Sequence, residues 1–436
     1  MSLPGQPSRD SEKKVSRRAD GALLGLAIAF FVLAGSQNDP RVLAQYGAIL
    51  LLPAAIILVA ITGRAWIAAV SLFVLGVIVR AMNLDHGYFG SDVLPVTKEA
   101  IETLFHGTNP YGHHYVASTN PFAYPPGNLL YYLPGYLLSD IRGTEIASGA
   151  IVLAGFAGIA WLIRDDGPVV AMGAYAVAPP LLLIATDASN DTSAGALLFL
   201  SVVLLFLAHR LLSIPLLIIS ALVMGEALAF KQYTLPFWPA LIGYLAAQSW
   251  TVPLAWRKGK RQNPPAWAVY TAISAGFVVI TTLPFLIWSP SAFVDDQFAW
   301  SDVAIHPIAG WNVWAFVLRW QGWNAQSSLG NLLPSIDITL ATATLVVGIV
   351  AGVRTPSRAI TVGVAAWFVL MLFARWTTFA YFAGVIPLVF LIPFADRIVG
   401  RPIEAMERQL TEPARSIASP AQDWSRTPGS GSSGSR

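Results

Sequence analysis

TSAGALLFLSVVLLFLAH, residues 192–209, carries no Asp, Glu, Lys or Arg along its whole length. A helix needs roughly 17–25 mostly apolar residues to cross a hydrocarbon core, because backbone groups in lipid must bond within their own segment. Residues 192–209 meet that length, and working outward the same pattern recurs at 20–36, 43–62, 65–82, 145–163, 168–186, 211–230, 233–249, 266–288, 336–353, 358–374 and 378–395. The reading is an all-α, polytopic integral membrane protein with about 12 transmembrane helices.

Composition points the same way. Over 436 residues, 55% are hydrophobic and only 12% charged, too few charges to cover the surface of a soluble fold. The 15 Trp and 13 Tyr suit a membrane–water boundary, where the ring lies in acyl chains and the polar atom in water. A net charge of +3 with no compact basic region argues against a nucleic-acid partner. The absence of cysteine excludes disulfides, Cys-ligated zinc, iron–sulfur clusters and thiol catalysis.

Sidedness follows from the basic residues. Residues 1–19 have no small-residue cleavage site before the next apolar segments and read as a cytosolic N-terminal tail. With that end inside, 20 of the 27 Lys and Arg fall in cytosolic segments, among them Lys13, Arg17, Arg64, Arg164, Arg210, Lys258 and Arg354. This is the positive-inside asymmetry. The expected organisation is a single transmembrane catalytic domain at 20–396 and a cytosolic, disordered tail at 397–436, whose end TPGSGSSGSR has linker composition. The expected location is the plasma (inner) membrane, multi-pass, with the long loops outside.

Those outer loops, 83–144 and 289–335, are far longer than turns between helices require. The first holds Tyr88, Phe105, Tyr111, Tyr115, Phe122, Tyr124 and Tyr132, a composition opposed to disorder. Val96, Ala100, Ile101 and Leu104 predict a surface-lying amphipathic helix over 93–105. NLLYYLPGYLL at 128–138 is apolar but too short to cross, and predicts a re-entrant or interfacial helix. In the second loop, the stripe Trp311, Trp314, Leu318 reads as an interfacial anchor ahead of a sugar-stacking platform.

The first loop also carries Gly90-Ser91-Asp92, then Asn109-Pro110-Tyr111 at the end of the amphipathic helix, then Tyr124-Pro125-Pro126-Gly127. This order resembles the glycosyltransferase C (GT-C) superfamily, and within it the integral membrane mannosyltransferases that use a polyprenol-phosphate-linked sugar. About 60 residues carry the likeness strongly, and two extra spans precede them here. The resemblance implies that Asp92 is the catalytic carboxylate. As general base it would take the proton of an acceptor hydroxyl attacking the anomeric carbon opposite the departing phosphate, inverting configuration. The competing reading is that Asp92 caps the helix beginning near Leu94 or Pro95.

Asp85, Asp187 and Asp191 are rival bases, and Asn190-Asp191-Thr192 also reads as an ordinary helix cap. Glu226 sits inside an apolar run, where an ionisable group is a functional candidate unless it pairs with Lys231 or Arg80. Growing charge on a polyprenyl phosphate leaving group calls for a cation at headgroup depth. Lys231 and Arg375 flank span ends, with Arg319 and Arg80 behind them; the alternative for each is snorkelling. His306 is a candidate for sugar or phosphate, and Tyr124, Asn109 and Tyr111 join the substrate-binding set. The His113-His114 spacing fits no zinc pattern, so no metal is expected.

No cofactor is expected, since the lipid-linked sugar is a co-substrate. The implied activity moves a sugar, mannose by resemblance, from polyprenyl phosphate to a glycolipid, polysaccharide or protein acceptor on the outer face. The absence of a soluble nucleotide-binding domain weighs against a sugar-nucleotide donor. The rival reading is a multi-pass transporter or lipid flippase without glycosyl transfer, whose sites lie nearer the bilayer midplane.

Overall fold

The computed structural model describes residues 65–82, 91–177, 179–252, 263–298, 308–310, 312–321, part of 336–350, 351–374 and 376–400. The chain divides into two units, Met1–Val399 and Gly400–Arg436, and every element named here belongs to the first. In chain order these are α1 (Ala65–Met82), α2 (Val93–Phe105), α3 (Gly127–Leu137), α4 (Gly143–Ile163), α5 (Gly167–Val177), α6 (Pro179–Ile184), α7 (Asp191–Leu211), α8 (Ile214–Phe230), α9 (Phe237–Ala246), α10 (Ala266–Trp288), α11 (Pro290–Phe298), β1 (Ala309–Gly310), α12 (Val313–Gln321), α13 (Pro356–Phe373), β2 (Trp376–Thr377) and α14 (Phe379–Val399). The two short strands pair in parallel, and the rest of the described secondary structure is helical.

Five helices, α4, α7, α10, α13 and α14, are long and apolar enough to cross a membrane. Within the expected span 168–186, Gly167–Val177 and Pro179–Ile184 are helical, and residue 178 lies outside the described residues. Residues 233–249 contain a 3₁₀ turn at Gln232–Thr234, then Pro236, then α9 of only 10 residues. The expected spans 20–36 and 43–62 lie outside the described residues, as does much of 336–353.

At the centre, α7 packs against α4, α8 and α14. Between apolar helices in lipid there is no hydrophobic driving force, so close approach and interhelical hydrogen bonds matter most. Its first turns are small, Ser193-Ala194-Gly195-Ala196, and a side chain on Gly195 would meet the Gly384 carbonyl oxygen of α14 at 2.5 Å. Further along, Ser220 Oγ donates to Ser201 O at 2.7 Å and Ser201 Oγ returns to Ser220 O at 3.2 Å, a reciprocal clasp between α7 and α8. By contrast, α10 is held mainly by α8 and leaves Val279, Ile280 and Ile287 exposed. A long uncharged face of this kind is compatible with lipid contact.

Helix α2 forms where the spacing of its apolar residues predicts, with Val96, Ala100 and Ile101 buried. In α12, Leu318 is buried and Trp314 Nε1 donates to Phe373 O at 2.6 Å, while Phe316, Arg319 and Trp320 are exposed. The Trp314–Leu318 stripe therefore faces protein, and the opposite face of α12 is the one left free.

Candidate functional site

Asp92 stands at the N-cap position of α2, but its side chain makes no capping bond. Ser91 Oγ faces the Val93 amide instead, at 3.4 Å. Among the described residues the half-buried Asp92 carboxylate accepts one hydrogen bond, from Asn120 Nδ2 at 2.9 Å. On both sides the backbone is tied to the turn before α7, with Ser91 N donating to Asp187 O at 2.9 Å and Leu94 N to Ala188 O at 3.0 Å. These two bonds hold the start of α2 against the start of α7.

Across that junction lies a buried ion pair. Lys231, just past the end of α8, donates from Nζ to Asp191 Oδ1 at 2.7 Å and to Asn190 Oδ1 at 2.6 Å. Tyr233 OH donates to the same Asp191 oxygen at 2.8 Å. Three phenol rings surround the ammonium: Tyr381 at 4.8 Å, Tyr233 at 5.0 Å and Tyr124 at 5.8 Å from Nζ to ring centre. Such ring faces attract a cation, and desolvation strengthens the effect. The buried Asn190 Nδ2 has no hydrogen-bond partner among the described residues. Burial raises the Tyr124 phenol well above its ordinary value, and nearby Tyr381, Asp92 and Asp191 raise it further. Tyr124 thus lies within electrostatic reach of both aspartates.

The loop motifs build the wall that holds Tyr124. Asn109 Oδ1 accepts from Tyr111 N at 3.1 Å, a local turn, and Tyr111 OH donates to Tyr124 O at 2.9 Å. Gln297 of α11 donates to the same carbonyl at 2.7 Å, and Asp296 accepts from Gly112 N at 2.6 Å. Gly127, closing the Tyr-Pro-Pro-Gly run, lets α3 start against α8: a side chain there would come within 2.6 Å of the Ala229 carbonyl. Asn109 and Tyr111 are therefore buried framework, and Tyr124 is the member of that set at the ion pair.

Compared with protein-family models, curated proteins and solved structures, the chain matches none.

Other expectations change. Lys231 does not snorkel; it points inward and is buried by its partners. Glu226 pairs with neither Lys231 nor Arg80, and among the described residues neither of its buried carboxylate oxygens has a hydrogen-bond partner. Arg80 is wholly buried, its guanidinium donating to Gly76 O, Ala176 O and Tyr175 O, so it is no headgroup cation. Asn190 occupies the N-cap position of α7 without capping it. Asp187 Oδ1 accepts from Ser189 N at 2.8 Å, and burial pushes its carboxyl up to about 6. Asp85, His306 and Arg375 lie outside the described residues, while Arg319 is exposed on α12. Among the described residues no group of three or more His, Asp or Glu is placed to hold a metal.

The sequence reading missed Tyr233 and Tyr381, which complete the ring around Lys231, and Glu145, which is buried at the start of α4. Aromatics beside prolines or inside apolar helices give no separate signal. Glu145 falls at the first residue of an expected span, where an acidic residue is ordinary.

Proposed function

We propose that the chain is a multi-pass membrane glycosyltransferase that moves a sugar, mannose by resemblance, from a polyprenyl-phosphate donor to an acceptor hydroxyl. The observation carrying this reading is the Asp92 carboxylate, free of capping and joined through the 187–190 turn to a tyrosine-lined Lys–Asp cluster. In the reaction the acceptor oxygen bonds to the anomeric carbon as the bond from that carbon to the phosphate oxygen breaks. The acceptor proton goes to Asp92, and the electron pair of the broken bond leaves with polyprenyl phosphate. Phenol hydroxyls and the Asn190 amide offer hydrogen bonds to sugar hydroxyls, and ring faces suit the apolar side of a pyranose. Lys231 contributes positive charge beside the developing phosphate, with Asp191 and Tyr233 fixing where that charge sits.

The reading keeps about 12 spans, a plasma-membrane location, cytosolic termini and a site facing outward, supported by the basic-residue asymmetry. Arg375 and His306 remain proposed donor contacts on the sequence argument alone. A transporter or flippase is favoured by one observation, the buried ionisable groups Arg80, Glu145 and Glu226 on helices α1, α4 and α8. The deciding experiment supplies purified protein with polyprenyl phosphate carrying radiolabelled mannose and with a membrane glycolipid extract as acceptor. Label moved to the acceptor with inverted anomeric configuration supports the enzyme. Label crossing a proteoliposome bilayer while still attached to its lipid supports the flippase.

A further inference from the structure

Helix α7 begins with an unusual division of labour. Ala194 N donates to Asn190 O at 3.1 Å, so Asn190 is the N-cap residue by backbone geometry. An Asn there ordinarily turns its side chain onto the amide two or three residues on. Here its Oδ1 is on Lys231 Nζ at 2.6 Å. The amide left over, Ser193 N, donates instead to Glu145 Oε2 of α4 at 3.2 Å. Glu145 Oε1 takes the Ser193 hydroxyl and the Tyr132 hydroxyl, and Ser193 Oγ also meets Ser148 Oγ at 2.8 Å, which in turn bonds Tyr131 OH at 2.8 Å. Glu145 is 1% exposed and Asn190 fully buried, so water does not substitute for these partners.

From this we infer that Glu145 is a positioning residue: by capping α7 from a neighbouring helix, it frees the Asn190 side chain to hold Lys231 in the tyrosine cluster. A carboxylate at a helix N-terminus is favoured by the unsatisfied amides and the helix dipole. Without it, the Asn190 side chain is drawn to the vacated amide, and Lys231 loses one of its two oxygen partners. The hydroxyls of Tyr131, Tyr132, Ser148 and Ser193 then serve to fix the Glu145 rotamer across α3, α4 and α7.

Hydrogen exchange of the full-length protein in detergent, read on peptides covering 190–196, tests this together with amine-reactive labelling of Lys231. Glu145→Ala should speed exchange of the first-turn amides roughly fivefold or more, the loss expected for one missing cap, and should raise Lys231 labelling. Glu145→Gln, whose amide oxygen still accepts from Ser193 N, should restore both. Asn190→Ala should raise Lys231 labelling while leaving amide protection intact. If Asn190→Ala deprotects those amides, Asn190 is the cap and the inference is overturned; this arm stands even where Glu145→Ala does not fold. Unchanged Lys231 labelling in Glu145→Ala would overturn it equally. A transfer-rate arm rests on the glycosyltransferase reading. There Glu145→Ala should slow transfer and Glu145→Gln recover it, whereas a wild type with no transfer activity defeats that reading and leaves the exchange result standing.

Discussion

Asp92 and Asp191 occupy similar local settings, one at the N-cap of α2 and the other at the first residue of α7, both within electrostatic reach of Tyr124, yet their carboxylates are engaged in opposite ways. Asp191 is buried and holds Lys231 and Tyr233 on a single oxygen. Asp92 is half-buried and, among the described residues, holds only the Asn120 amide. A buried, paired carboxylate is a poor base, because removing its negative charge strands its cation in a low-dielectric site. A carboxylate with one neutral donor can exchange a proton without that penalty. The difference fits the proposed division, in which Asp191 holds Lys231 and Asp92 is the base.

The comparison is sharpened first where the larger stability effect is expected. Breaking a buried ion pair from one side costs about 3–5 kcal/mol, so Lys231→Met and Asp191→Asn should each lower thermal stability in detergent by that order. The double variant should lose much less than the sum, since it leaves no uncompensated charge. Additive losses in a double-mutant cycle would mean that the pair is not formed.

A smaller effect is expected at Asp187, between the two aspartates. Its folded value of about 6 lies above the usual 3.8, so the folded state binds the proton more tightly than the unfolded chain does. The associated stability is present below about pH 4 and lost as pH rises through about 6, up to about 3 kcal/mol in all. Asp187→Asn, which keeps an acceptor for Ser189 N, should remove this dependence. The gap in melting temperature between variant and wild type should widen from pH 4 to pH 7. A constant gap would place the titration elsewhere.

The mildest intervention asks which side of the membrane this end occupies. Val116 is 92% exposed on the loop after α2, and the chain has no cysteine of its own. Val116→Cys should label with an impermeant thiol reagent in intact spheroplasts, with little effect on stability. Labelling only after lysis would reverse the orientation and, with it, the outward-facing site.

Much of the architecture was legible because helical periodicity and length are local properties. Helix α2 was written in Val96, Ala100 and Ile101, and α7 in an uncharged run. The expected span 233–249 is shorter than its apolar length implies, because Pro236 stands between the 3₁₀ turn and the start of α9. Helix α11 was not foreseen, since PSAFVDDQF has little apolar periodicity and is fixed by Asp296 and Gln297 bonding to the first loop. Within the site, Asp92 and Tyr124 stood out through a motif in one loop. The Lys231 environment did not, because its partner Asp191 lies 40 residues away and its rings come from three separate segments. Pairing of that kind is set by helix packing, which no local pattern encodes.

The most direct test of the central claim is the rate of sugar transfer by purified Asp92→Asn beside wild type, with polyprenyl-phosphate mannose as donor. Asn keeps the size of Asp and can still engage Asn120, but it cannot take up a proton at neutral pH. With Asp92 as general base, transfer should fall about 10²–10⁴-fold while melting temperature and donor binding stay near wild type. Retention of more than about a tenth of the wild-type rate, less than the loss of a general base allows, would contradict the assignment.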